Sequence, residues 1–225
     1  MQVKMVSITS SLIQEKPLTP EELIVYTARV SNPGNQLNTE TADKLLGYLV
    51  KNFHWSPFEM VDMTVEIVTS RAIAQQILRH RSFVFQEFSQ RYAKATKIEP
   101  VELRYQAEKN RQSSSQSFIG DEADKLNMSV EHLLEHSEEV YSKLIDAGVA
   151  KECARFVLPL ATQTTMYMKG SVRSWIHYLQ IRTNDHTQKE HREVAMEILQ
   201  LFISLFPNIS KALGWIEPLP EPVQS

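Results

Sequence analysis

Cysteine is almost absent: Cys153 stands alone among 225 residues. A single thiol excludes an internal disulfide and suits a reducing compartment, so the expected location is the cytoplasm. Glycine is scarce, six residues in all, and no G-x-x-x-x-G-K or G-x-G-x-x-G loop occurs. Any nucleotide bound here is therefore expected to be held by side chains on helices. No apolar run approaches the roughly 20 residues a membrane helix needs, and the opening MQVKMVSITS lacks a signal-peptide core. The expectation is a soluble chain with no membrane partner. The net charge is only −3, which gives no general pull toward nucleic acid. Hydrophobic residues make up 42% of the chain, enough for a sizeable core.

Periodicity then organises the chain. Met63, Val65 and Ile67 alternate with Asp62, Thr64 and Glu66, the period of a half-buried strand, and a weaker strand is expected over Gln2 to Ile8. TPEELIVYTARV opens a helix with Thr19 as N-cap, Pro20 at the first helical position and Glu22 closing a capping box. Further helices are expected from near Thr41 to Asn52 and from Ser70 to His80. Residues 106–123 are polar, serine-rich and aperiodic, and read as a mobile surface loop. A long helix follows, with Leu126, Val130, Leu133, Leu134, Val140, Tyr141 and Leu144 on one stripe and Gly148 as its stop. KECARFVLP reads as a short helix ending before Pro159, and TQTTMYM as extended chain. Helices are expected over Val172 to Leu179 and through Val194, Ile198 and Leu205, and the tail 217–225 is expected to fray. With no repeat and no clear linker, the expectation is a single domain spanning 1–225, α+β and mostly helical, with a small antiparallel or mixed sheet.

Cations and aromatics crowd RHRSFVFQEFSQRY at 79–92. Continuing the helix through Arg79-His80-Arg81 places the two arginines about 200° apart, so they serve two ligands or a ligand and a neighbouring subunit. Ser89 and Arg91 offer a hydroxyl and a bidentate donor suited to phosphate, and the phenylalanines suit a stacked heterocycle. The alternative is a solvated cationic helix end, or a basic stripe over 71–97 that binds polynucleotide. Arg173, His177 and Gln180 share one helix face, with Arg182, Asn184, Asp185 and His186 just beyond. His132, Glu135 and His136 fit H-x-x-E-H, a zinc-hydrolase pattern, but they lie among Glu131, Glu138 and Glu139, a solvated face, and no metal is expected. Cys153 reads as a small buried hydrophobe, not a nucleophile.

Arg79-His80-Arg81, then SFVFQEF, Ser89, Gln90, Arg91 and Tyr92, with Gln76 upstream and Glu87 within, resemble the signature of flavin-dependent thymidylate synthases. ARVSNPG, HWSPFEM, ARFVLPL and SVRSWIHYLQIRTNDHTQKE extend the resemblance over nearly the whole chain. It implies that family's fold and its reaction. dUMP is reductively methylated to dTMP with methylenetetrahydrofolate as one-carbon donor and NADPH-reduced FAD as hydride donor, without a cysteine nucleophile. It implies FAD contacts at Ser56, Arg79, His80, Arg81, Glu87, Ser171, Arg173 and His177, with His54 and His186 lining the flavin pocket. It implies dUMP contacts at Gln76, Arg79, Glu87, Phe88, Ser89, Gln90, Arg91, Arg155 and Arg182, with Arg182 activating the uracil. Homotetramers with active sites at subunit interfaces are also implied. The chain departs from the family at Ser171 and His177, where asparagine is frequent, and at Gln86.

Overall fold

The computed structural model describes residues 1–94, 97–110 and 112–216; the frayed tail expected over 217–225 lies outside them. The core of the fold is an antiparallel sheet in which β1 (Gln2–Ile8), β2 (Asp62–Ser70), β6 (Gln163–Ser171) and β3 (Val84–Glu87) lie in the order β1-β2-β6-β3. Alternation along β2 does what its sequence dictates. Met63, Val65 and Ile67 are fully buried, and across the register they meet Gly170, Met168 and Met166 of β6. Helices cover this face: α1 (Pro20–Ala28), α2 (Ala42–Lys51), α3 (Arg71–Ile77), α6 (Val172–Arg182), α7 (Lys189–Leu205) and α8 (Pro207–Ala212). Trp175 is buried at the centre, its Nε1 donating to the Met63 carbonyl at 3.0 Å, which satisfies the one polar atom such a ring brings into a core.

Thr19 forms the capping box with Glu22 at the start of α1. Ser70 and Ser171 cap α3 and α6 in the same way, each accepting from the backbone N–H three residues on. Both helices therefore leave directly from the ends of paired strands. Asp62 pairs with Ser171 and Ser70 with Gln163, so α3 and α6 start from opposite ends of the β2–β6 pair.

Four expectations are corrected. The third helix stops at Ile77, and Arg79, His80 and Arg81 lie in the turn that feeds β3; no glycine or proline marks this stop. The described residues of 106–123 are not an irregular loop. The described residues there complete a hairpin of β4 (Arg104–Gln106) and β5 (Ser114–Ser117) and begin α4 (Asp121–Asp146). Both faces of β5 are exposed, so no apolar alternation betrayed it. Side chains hold the ribbon instead: Gln106 Nε2 donates to the Ser113 carbonyl at 2.8 Å and Arg104 Nε to Ser114 Oγ at 2.9 Å. The apolar stripe of α4 is covered only near its end, where Tyr141, Leu144 and Ile145 pack on Ala154, Val149 and Leu158; Leu126 and Leu133 are exposed. Cys153, in the short helix α5 (Lys151–Ala154), is exposed and not buried.

Among the described residues no helix is long and apolar enough to cross a membrane, and no group of three or more His, Cys, Asp or Glu side chains is placed to hold a metal ion. His132, Glu135 and His136 are all exposed on α4.

Candidate active site

Past the end of α3, His80 turns inward and meets Arg182 in the last turn of α6. The Arg182 Nε–H donates to His80 Nε2 at 2.9 Å across 102 residues of sequence. An imidazole nitrogen that accepts carries no proton, so the His80 proton sits on Nδ1. Burial, with the charges of Arg182 and His177 adding to it, presses the His80 pKa down to about 4, which keeps the ring neutral and able to accept. Tyr178 and Phe83 wall it in, their ring centroids 4.9 and 6.4 Å away. Among the described residues both Nη groups of Arg182 lack a protein partner. The guanidinium is thus anchored at one edge and open at the other.

A cavity of about 540 Å³ opens on the polar face of α6, lined by Phe53, Trp55, Glu59, Ser82, Arg173, Ser174, Ile176, His177 and Gln180. The polar face of α6 supplies Arg173, His177 and Gln180, as its spacing required. Glu59 organises the floor: it accepts from Arg173 Nη1 at 2.9 Å and from the Ser171 hydroxyl. Ser56 opens the short 3₁₀ turn Ser56–Met60 that carries Glu59, and His54 packs edge-on against Tyr48 at 5.8 Å.

Phe53 reaches this cavity by an unusual route. It is the only described non-glycine residue with positive φ, 58°. It stands at the position after the α2 C-cap, its N–H donating to Val50 O and the next, of His54, to Leu49 O. This is the Schellman arrangement, in which glycine is the usual occupant. The ring is left three-quarters exposed, 6.3 Å from Trp55.

A third cluster gathers where the chain leaves β3. Glu87 accepts from Thr164 Oγ1 at 2.9 Å and pairs with Arg71 at 3.4 Å. Phe88 N donates to Thr165 O, extending the pairing, and the Ser89 carbonyl accepts from the amides of Tyr92 and Ala93. Gln90 is buried, and its Nε2 has no hydrogen-bond partner among the described residues, a cost that a ligand acceptor would relieve. Arg91 and Arg155 converge on Glu152, by a 3.2 Å ion pair and a 3.3 Å bond to its carbonyl.

The sequence-predicted residues thus fall into three groups that one chain does not close into a single pocket. Arg173 and His177 line the large cavity, with Ser171 beneath and Ser56 and His54 flanking. Gln76, His80 and Arg182 form the second group, and Glu87 to Arg91 with Arg155 the third. Arg79 and Arg81 are exposed on the turn that also carries Ser82, and among the described residues neither guanidinium has a partner. His186 lies apart, in a polar cavity of about 340 Å³ with Arg104, Gln188 and Arg192. Sequence reasoning missed Phe53, Glu59, Tyr178 and His191. HWSPFEM carried Glu59 in plain view, whereas nothing in a sequence marks phenylalanine at a left-handed position.

Residues 11–208 match the family described as "Thymidylate synthase complementing protein". The chain belongs to the flavin-dependent thymidylate synthase family. It is 52% identical over 219 residues to the flavin-dependent thymidylate synthase of Synechocystis, covering 96% of this chain and all of that one. It is 49% identical over 217 residues to the probable flavin-dependent thymidylate synthase of Paramecium bursaria Chlorella virus 1, again covering 96% and 100%. Among solved structures, the UMP/dUMP methylase PolB of Streptomyces cacaoi bound with 5-Br dUMP superposes with a TM-score of 0.77 at 26% identity, over 96% of this chain and 95% of that one. The antiparallel sheet with its helical cover is thus the family's fold.

Proposed function

We propose that this chain is a flavin-dependent thymidylate synthase that converts dUMP to dTMP, with methylenetetrahydrofolate as one-carbon donor and NADPH as reductant. The observation that carries the reading is the half-anchored Arg182. Fixed through Nε by a neutral His80, it presents both Nη groups toward a ligand, a preorganised cation worth a few kcal/mol where charge develops on a uracil ring. That charge is negative: the anionic ring is the electron-rich form whose C5 attacks the one-carbon unit, and a cation at its edge favours that form without a thiol. Gln76 beside this pair reads as a base contact. Ser89, Gln90, Arg91 and Arg155 read as contacts to the rest of dUMP, joined by Arg79, Glu87 and Phe88.

The residues fit FAD. Two aromatic rings, Phe53 and Trp55, border the large cavity, and a volume of about 540 Å³ falls within the roughly 300–1,000 Å³ of small-molecule sites. Arg173 over Glu59 and the unpartnered Arg79 and Arg81 suit its pyrophosphate, and Ser56, His54, His80, Glu87, Ser171, His177 and His186 are the further contacts proposed. FAD, when bound, supplies the hydride that completes the methyl group. The separation of the three clusters and the uncovered stripe of α4 support a homotetramer whose sites form between subunits. The lone cysteine supports a cytoplasmic setting.

The test is dTMP formation by FAD-loaded protein supplied with dUMP, methylenetetrahydrofolate and NADPH. Arg182→Ala should abolish product while the flavin absorbance of the purified protein persists. Near-normal turnover in that variant would overturn the assignment.

A further inference from the structure

A hydrogen-bonded chain runs from the core of the protein to its hairpin, and its polarity is fixed at one end. Arg104 Nη2 donates to Glu190 Oε1 at 2.7 Å, and its Nη1 donates to Glu102 at 2.9 Å. Burial pushes the Glu190 carboxyl up, but its own backbone N–H, Arg104 and Gln188 outweigh that and hold it below its usual value. A carboxylate only accepts. Gln188 must therefore turn its NH₂ to Glu190 (Nε2 to Oε2, 2.9 Å) and its carbonyl to Gln76. Gln76 must then give its NH₂ to Gln188 Oε1 (2.6 Å) and its carbonyl to His191 Nδ1 (3.3 Å). His191 donates from Nδ1 and accepts at Nε2 a hydrogen bond from the Tyr178 hydroxyl at 3.1 Å. Every donor in the series has one acceptor, and reversing any amide breaks two bonds.

His191 is completely buried. Burial, with Arg182 and His80 adding to it, presses its pKa down to about 3, and the same burial pushes the Tyr178 hydroxyl up. Both stay neutral around neutral pH, so the polarity holds there.

We propose that His191 is a positioning residue for nucleotide recognition, fixing the amide of Gln76 in one orientation so that its remaining N–H and carbonyl lone pair meet the pyrimidine in register. Uracil presents a donor between two acceptors at fixed places, and a flipped glutamine would oppose donor to donor. His191 touches no substrate in this scheme; it acts through Gln76. The inference rests on the reading of Gln76 as a dUMP contact.

Titration calorimetry of dUMP into FAD-loaded protein tests it. His191→Leu should raise the dUMP Kd about fivefold to tenfold, the worth of about one neutral hydrogen bond. His191→Asn, whose amide nitrogen falls near Nδ1, should recover most of that loss. His191→Gln, which mimics Nε2, should not, and the Asn–Gln comparison decides the matter should the leucine variant fold poorly. Gln76→Ala should weaken binding in the parent and add nothing in the His191→Leu background. Equal affinities in Asn and Gln variants of matching thermal midpoint, or additive losses in the double variant, would overturn the proposal. An unchanged Kd in Gln76→Ala alone would remove the reading of Gln76, and the inference with it, without any change at His191.

Discussion

At Phe53 the backbone is held at φ 58°, a region that costs a residue bearing a Cβ roughly 1 kcal/mol or more. An aromatic residue stands here against its own local preference, and backbone strain of this kind collects at ligand sites. Phe53→Gly should therefore raise stability by up to about 1 kcal/mol, or roughly 2–4 °C in thermal midpoint for a chain of this length. It should also lower flavin retention, since one wall of the cavity goes. Scanning calorimetry and flavin fluorescence on the same sample read both effects; a variant that keeps its flavin fully would show the ring to be dispensable. Residues of this kind are where the sequence fell silent. Ser89 and Arg91 could be proposed from sequence because their chemistry is specific and their spacing forms a motif, and Arg182 because its segment resembles the family's. Phe53, Tyr178 and His191 were not, because a phenylalanine near a helix end and a tyrosine or histidine on an apolar face look like ordinary packing until the backbone and its neighbours are seen.

Among the elements, β3 depends most on a single contact. Among the described residues it pairs only with β6, and the Phe83 ring just before it lies against Gly170 of that strand. A Cβ at 170 would stand 2.5 Å from the ring, and the ring cannot retreat, being boxed by Trp175 at 4.7 Å and Tyr178 at 5.9 Å. Gly170→Ala should cost about 1–3 kcal/mol by overpacking. Adding Phe83→Leu should recover part of the loss. Urea denaturation of the three variants checks this, and strictly additive losses would show that the two positions are uncoupled. Strand β2 and helices α6 and α7 were readable because each has one wet and one dry face, so the period appears in the sequence; α1 was readable from its capping box and β6 from its β-branched threonines. The β4–β5 hairpin, wet on both faces, carries no such mark. The end of α3 was overrun because Leu78 to Arg81 continue a helical pattern while tertiary pairing of β3 pulls the chain away.

For the molecule as a whole, acid should be destabilising well before its carboxylates titrate. His80 and His191 have folded values of about 4 and about 3 against 6.5 when free. The unfolded chain therefore binds protons that the folded chain refuses, and stability falls as pH drops from about 6.5 toward 4. Below that, Glu102 and Glu190, held low by their partners, add loss in the same direction; Glu21, pushed up by burial, opposes it as a single group. Urea midpoints measured across this range should show a steady decline, and His191→Leu should flatten it by up to one proton's worth. A flat profile in the parent would mean that the buried rings titrate normally. The architecture of the sheet also sets an order on synthesis. The partner of residue 62 is residue 171, and that of residue 70 is residue 163, so the central pairing must wait for almost three-quarters of the chain. While the ribosome makes the hairpin and α4, β2 has β1 on one side and nothing on the other, with Val65 and Ile67 lacking α6 and α7 as cover. Such non-local pairing folds slowly, and an open apolar edge invites neighbours. The nascent chain is most exposed to aggregation just before β6 leaves the ribosome, and truncated products ending short of residue 163 should be caught by chaperones or lost to inclusion bodies.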